Sequence, residues 1–311
     1  MNGRRSFTIG TRGSLLARAQ CRIVQGELAA RHSDGVWLTK EIKTQGDIDR
    51  DVSLVTLGGQ GVFVRALEER LLAGEIDLAV HSLKDMPTEL PPGLRIAAVL
   101  PREDARDVLI SRLDCSLDSL PEGSVVGTSS LGRQAQILRY RPDLTVRDIR
   151  GNVDTRLRKL HDRQYDAVIL AAAGLIRLGR DHLITQYLSM EVMLPAVGQG
   201  ALAIEVQEDD QEIIRRVEPL NHRATEQAVL AERGFLAALG GGCSVPIAAY
   251  GEVANGCVCL SGVVADPTSG SCIRGSVTGP VSQPEALGRR LAEQLLGHGA
   301  RELLQGAVGG K

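Results

Sequence analysis

Aromatic residues are scarce in this 311-residue chain: one Trp, four Tyr and three Phe make up 3% of it. Its interior must be packed with aliphatic and alanine side chains, and little aromatic surface is left for stacking bases. A basic excess is lacking too. Lys and Arg total 36 against 38 Asp and Glu, a formal charge of -2, which argues against a generic polyanion or nucleic-acid binder and makes any anion site local. No apolar run is long enough to span a bilayer, and the start, Met1 to Gly10, has Arg4 and Arg5 without an apolar segment behind them. The expectation is a soluble, unexported, cytoplasmic protein. The six cysteines (Cys21, Cys115, Cys243, Cys257, Cys259, Cys272) show no C-x-x-C spacing, which speaks against a zinc ribbon and a disulfide framework; no metal site is expected. Cys257 and Cys259, two apart in a strand-like run, would share one face as small buried packing residues.

What is present is an ordinary hydrophobic fraction of 43% in a chain long enough for two or three domains. Apolar spacing predicts a helix from Ser14 to about Ala30, with Ser14 able to cap its first turn. A strand over 36–43 and a glycine-rich loop at Gly46, Gly58, Gly59 and Gly61 follow, then a helix from Phe63 to Ala73. The short strand Ile76 to Val80 runs into His81-Ser82-Leu83-Lys84-Asp85 before Met86-Pro87 breaks the backbone. Strand, polar turn and helix recur at 124–130 and at 145–152, and Val168 to Ala172 reads as a strand covered on both faces. The first two-thirds is therefore α/β, in which ligands bind at strand carboxyl ends. After Asn221 the pattern changes to a helix (Ala224 to Leu239), Gly240 to Gly242, strand-like runs near 257–264 and 272–278, and a last helix from Pro284, an α+β texture. No internal repeat is evident.

Arg12, Arg133, Arg150, Arg156 and Arg177 each lie near a strand or helix end. Guanidinium forks and helix amino termini together suit a ligand with many carboxylates, although any single such arginine reads more readily as a solvated surface residue. Asp85 at a strand end is either a carboxylate partly withdrawn from water, able to steady a developing cation, or a turn-forming residue in a salt bridge. Cys243, between three glycines and Ser244-Val245-Pro246, is either a nucleophilic thiol on a tight loop or a structural cysteine.

Six stretches together, Thr11-Arg-Gly-Ser-Leu-Leu-Ala17, Val80-His-Ser-Leu-Lys-Asp-Met-Pro87, Gly127-Thr-Ser-Ser130, Arg150-Gly-Asn-Val-Asp-Thr-Arg156, Leu194-Pro-Ala-Val-Gly-Gln-Gly200 and Gly241-Gly-Cys-Ser-Val-Pro246, resemble the porphobilinogen deaminase family in order and spacing over residues 8–305. The resemblance implies two α/β domains like those of periplasmic binding proteins, with a cleft between them, plus a smaller α+β C-terminal domain. Domain 1 would comprise 1–100 and 196–220, domain 2 101–195, and domain 3 221–311. It further implies a transferase of tetrapyrrole (heme, chlorophyll, corrin) biosynthesis that condenses four porphobilinogen molecules head to tail onto a dipyrromethane cofactor and releases hydroxymethylbilane by hydrolysis. Cys243 would anchor that cofactor as a thioether and Asp85 would be the catalytic carboxylate. Ser14, Lys84, Thr128, Ser130, Arg133, Arg150 and Arg156 would hold the cofactor, and Arg12, Ser82, Phe63 and Arg177 the substrate. The expected partner is the small-molecule substrate alone, acted on by a monomer.

Three positions depart from the family pattern: Gly132 replaces an arginine in Ser130-Leu-Gly-Arg133, and Thr56 and Gln60 replace lysines in the glycine loop. Losing one bidentate carboxylate contact costs about 1.5–3 kcal/mol, which Arg65 or others would have to offset. The rival classes are a non-catalytic two-lobed anion-binding or regulatory homologue and, further off, a hydrolase with Cys243 as nucleophile.

Overall fold

The computed structural model describes residues 5–43, 64–241 and 246–309. The chain divides into two compact units, Met1–Arg102 with Ala201–Glu226 and Glu103–Gly200 with Gln227–Lys311. In chain order the strands are β1 (Arg5–Arg12), β2 (Gly35–Ile42), β3 (Leu78–Ser82), β4 (Leu94–Val99), β5 (Asp107–Ser111), β6 (Val125–Gly127), β7 (Thr145–Arg147), β8 (Ala167–Ala171), β9 (Gln186–Tyr187), β10 (Leu202–Gln207), β11 (Ile247–Ala254), β12 (Cys257–Ala265) and β13 (Cys272–Pro280). The helices are α1 (Leu15–Arg31), α2 (Arg65–Leu72), α3 (Leu131–Tyr140), α4 (Val153–His161), α5 (Ala172–Arg177), α6 (Gln211–Val217), α7 (Arg223–Ala238), α8 (Pro284–Leu295) and α9 (Arg301–Gly309). No helix among the described residues is long and apolar enough to cross a membrane.

The first unit is a five-stranded sheet in the order β2-β1-β3-β10-β4, with β1 parallel to β2 and β3, and β10 antiparallel to β3 and β4. Alternation of side chains along the strands separates its two faces. On one, Cys21, Val24 and Leu28 of α1 pack on Phe7, Ile9, Leu78, Val80, Leu202, Ile204 and Val206. On the other, Leu67 and Leu71 of α2 pack on Ile42, Ala79 and Leu94. Each leucine or isoleucine fully withdrawn from water contributes about 1.5–3 kcal/mol, so α1 is docked by its buried stripe. Its start is set locally, where the Ser14 hydroxyl accepts the amide N–H of Ala17 at 3.2 Å.

The second unit holds a sheet in the order β7-β6-β8-β5-β9, with β6 parallel to β7 and β8, and β5 antiparallel to β8 and β9. Ala167 and Ile169 of β8 join the cluster of Ile137 and Val126, whereas Val168 and Leu170 join that of Ile149, Leu160 and Leu175. That strand is thus covered on both faces, as its unbroken apolar run predicts. The same unit carries an antiparallel meander β11-β12-β13 packed on α7 and α8 through Phe235, Ala231, Leu287 and Leu291. A β-carbon added at Gly288 would lie 2.2 Å from the Ala231 carbonyl oxygen, so these two helices approach backbone to backbone.

The two five-stranded sheets share one set of strand directions, and their orders match once the fourth strand, last of its five in the chain in one sheet and first in the other, is set aside. Two expectations need correction. The third strand runs later than its apolar residues indicate, Leu78–Ser82 instead of 76–80, because pairing with β10 continues through Ser82 opposite Leu202. Cys257 and Cys259 share a face, but it is the outer one; Val258 and Leu260 are buried and Cys259 is exposed. The strand β11 gave no clear signal in the apolar pattern, since Ala248, Ala249 and Gly251 are buried but small, and Gly251 packs on the Ala228 backbone.

Candidate active site

In the first unit the carboxyl ends of β1 and β3 lie side by side, with Gly10 opposite Ala79 in parallel register. This brings together half-buried Arg12, the α1 cap Ser14, Ser82 and the tight turn Leu83–Asp85. Ser82 is hydrogen-bonded to the Gln20 carboxamide of α1 at 2.8 Å. Leu83 N–H donates to Ala201 O (3.0 Å) and Met86 N–H to Leu83 O (3.1 Å), which fixes the turn carrying Lys84 and Asp85. Lys84 and Asp85 are half-buried, while Leu83 and Met86 on either side are buried. Apolar anchors therefore hold polar residues at the surface of a strand end.

The second unit repeats this construction at β6, β7 and β8. Thr128, fully buried, accepts the N–H of Ser130 at 3.2 Å, and Ser130 caps α3 by accepting the N–H of Arg133. Ser129 both donates to Ile149 O (2.8 Å) and accepts Ile149 N–H (3.1 Å), tying the β6 turn to the β7 turn. There Arg150 leads to Gly151, whose φ of 107 suits glycine, and Asn152 caps α4 through Thr155 N–H at 3.0 Å. Arg156 donates its Nε–H to Gly151 O at 2.9 Å. Two helix amino termini and two arginines thus converge on neighbouring strand ends, the arrangement that binds carboxylates.

Arg133 and Arg177 are engaged inside the protein. Arg133 grips Asp107 with both arms, Nε to Oδ2 at 3.0 Å and Nη2 to Oδ1 at 2.8 Å, and reaches Gln199 Oε1 (3.2 Å) and Ile169 O (3.3 Å). Its charge is balanced by a carboxylate that is 0% exposed. Gln199 completes the network by donating to Asp107 at 2.6 Å and to Ala105 O at 2.8 Å. Arg177 donates to Gly200 O at 2.6 Å; burial pulls its guanidinium down to about 10, with Glu103 opposing, so it stays protonated at neutral pH. Glu232, also fully buried, accepts N–H groups from Gly198 (2.7 Å) and Gly251 (2.8 Å). Asp107, Gln199, Ser129 and Glu232 were not singled out from sequence. The available signal was a charged residue beside an unbroken apolar run, as in Asp107-Val-Leu-Ile110.

Phe63 and Cys243 lie outside the described residues, as do Thr56 and Gln60. In the described residues before Cys243, Gly240 follows α7 with φ 80, and β11 begins at Ile247 after it. Gly132 stands against that strand: a β-carbon there would meet Ile247 O at 3.5 Å, an ordinary contact.

Residues 7–215 match the family model for the porphobilinogen deaminase dipyrromethane cofactor binding domain, and 226–297 the model for the porphobilinogen deaminase C-terminal domain. The chain belongs to the porphobilinogen deaminase family. Porphobilinogen deaminase of Geobacillus kaustophilus is 52% identical over 302 residues, 97% of each chain. That of Geobacter metallireducens is 49% identical over 96% of this chain and 94% of its own. That of Roseiflexus castenholzii is 46% identical over 97% and 100%. Among solved structures the methionine-binding protein MetQ covers 73% of this chain and 93% of its own at 14% identity and a TM-score of 0.44, too low a likeness to decide anything.

Proposed function

We infer that the chain acts as a porphobilinogen deaminase, a transferase that releases ammonia from porphobilinogen and joins four such units head to tail to give hydroxymethylbilane in tetrapyrrole biosynthesis. The observation that carries this reading is the match over 97% of the chain to a relative of that name, with both family domains present. The non-catalytic alternative gains nothing from it.

The donor set suits a dipyrromethane cofactor, whose side chains are carboxylates: Lys84, Arg150 and Arg156 offer cations, and Thr128 and Ser130 lie at the amino end of α3. When bound, the cofactor supplies a nucleophilic pyrrole carbon on which the product chain is primed. Cys243 is read as its thioether anchor. Ser14, at the amino end of α1, adds a further polar contact, and Arg133, already balanced by Asp107, braces the first turn of α3 behind Ser130. Arg12, Ser82, Phe63 and Arg177 are assigned to the substrate. Asp85, an acceptor-only carboxylate when ionised, takes a pyrrole N–H and steadies the positive charge that develops as ammonia departs. The reading further comprises the three domains 1–100 with 196–220, 101–195 and 221–311, a cytoplasmic location and a monomer acting on a small molecule.

The test is the intact denatured mass of the purified protein beside that of Cys243→Ser. An added mass of two porphobilinogen units less two ammonias, present in the parent and absent from the variant, is expected. A parent that stays unmodified after incubation with porphobilinogen would overturn the reading.

A further inference from the structure

Between α2 and the sheet of the first unit, in a layer otherwise filled by Leu67, Leu71 and Ala79, three ionisable side chains are buried together. His81 of β3 is 5% exposed, Glu205 of β10 0% and Glu68 of α2 7%. His81 Nε2 lies 2.9 Å from Glu205 Oε2. Oε1 of Glu205 and Oε1 of Glu68 have no hydrogen-bond partner among the described residues. Two carboxylates in an apolar layer are expensive, and hydrophobic side chains of similar volume would serve stability as well or better. Stability does not account for them.

Their place in the sheet does. Successive residues of β3 face opposite ways: Ser82 faces α1 and is held by Gln20, and His81 faces α2 and is held by Glu205. Immediately afterwards the chain turns through Leu83–Asp85. The strand end that presents Asp85 is thus fixed on one face by a neutral hydrogen bond and on the other by an acid–base pair. We propose that His81 is a positioning residue for Asp85, acting through its pair with Glu205 and governed by the protonation of Glu68.

The charged groups acting on Glu68 are Glu205 from β10, His81 from β3, and Arg65 and Glu69 from α2 itself. The other strands packed on α2 carry Arg5 and Arg12 (β1) and Arg95 (β4); of these only Arg12 is half-buried and the other two are exposed. Burial, then the neighbouring Glu205, pushes the Glu68 carboxyl above the usual carboxylate range, with His81 opposing. A carboxyl raised in the folded state favours folding while protonated, and that contribution disappears as pH rises through its folded value. Ionised Glu68 then competes with Glu205 for His81 and loosens the strand end.

This inference rests on the role given to Asp85. The experiment compares pH profiles of the cofactor-loaded enzyme with those of Glu68→Gln, His81→Gln and His81→Phe, alongside 15N-histidine NMR titration of His81. Glu68→Gln, permanently neutral, is expected to move the alkaline limb of kcat up by about one pH unit, and to shift the His81 titration, with KM unchanged. His81→Phe is expected to lower kcat about tenfold or more at constant KM, and His81→Gln, which keeps a donor for Glu205, to restore most of it. A Glu68→Gln profile and His81 titration superimposed on those of the parent would overturn the positioning role, as would His81 variants that lose thermal stability but not kcat. A parent without turnover would instead overturn the reading of function. Should His81→Phe fail to fold, Glu68→Gln and His81→Gln decide the matter.

Discussion

In the first unit the strand that runs against its neighbours, β10, carries a buried carboxylate, Glu205, paired with the imidazole of His81. In the second unit the corresponding strand, β5, also carries one, Asp107, but its partner is the guanidinium of Arg133. The sheets share strand directions and both place the reversed strand fourth of five, so the difference lies in the partner. A guanidinium keeps its charge at any physiological pH, whereas an imidazole does not. One plan thus yields a two-armed guanidinium brace at the first turn of α3 in the second unit and an imidazole brace beside the turn of Asp85 in the first.

The comparison breaks most sharply at the functional strand ends. Asp85→Asn is expected to lower kcat by a factor on the order of 10²–10⁴ with little change in unfolding temperature, measured by steady-state product formation. Thr128→Ala or Arg156→Gln in the second unit should instead reduce the mass-detected cofactor load. Asp107→Ala strands the Arg133 charge in a site where its side chain is 11% exposed, and should cost about 3–5 kcal/mol in thermal or denaturant unfolding.

A smaller effect separates the fixed charges from the titratable ones. Asp166, before β8, accepts Val125 N–H at 2.8 Å and pairs with Arg112, and the backbone bond is the main cause that holds its carboxyl below the ordinary range. A depressed carboxylate stabilises the fold above its unfolded value and loses that contribution as pH falls through the folded one. Asp166→Ala should therefore cost about 1–3 kcal/mol near neutrality, the gap to the parent narrowing in melts taken below pH about 4. The smallest effect is expected of Gly132→Arg. Its β-carbon meets nothing closer than 3.5 Å, so stability should rise by about 1 kcal/mol or less, and urea-unfolding midpoints would detect it. A clear loss would mean that the position excludes a side chain.

Much of this was legible in the residues. Ser14 was legible as the cap of α1 and the turns at Ser130 and Asn152 as helix starts, and β8 with apolar residues on both faces had to be a covered strand. The turn at Asp85 was visible as an apolar strand meeting Met86-Pro87. What stayed hidden depends on partners distant in sequence. Nothing near Arg133 says that Asp107, 26 residues earlier, takes its fork. Nor does Glu205 reveal that His81, 124 residues away, receives it. The extension of β3 to Ser82 depends in the same way on β10. Small-residue strands such as β11 are invisible for a different reason: Ala248, Ala249 and Gly251 are buried but too small to mark an apolar pattern.

The insertion of β10 between β3 and β4 has a consequence for biogenesis. Among the described residues β4 pairs with β10 alone, so as the chain is synthesised the first sheet stays incomplete until Gln207 has emerged. The strands of the second sheet all lie between Asp107 and Tyr187. Strand pairing distant in sequence is slow, and unpaired edges left open meanwhile are prone to aggregate. Of the two five-stranded sheets the one that begins the chain is the later to close, and its edge at β3 must wait, unprotected, for a strand that the ribosome delivers after the other is already complete.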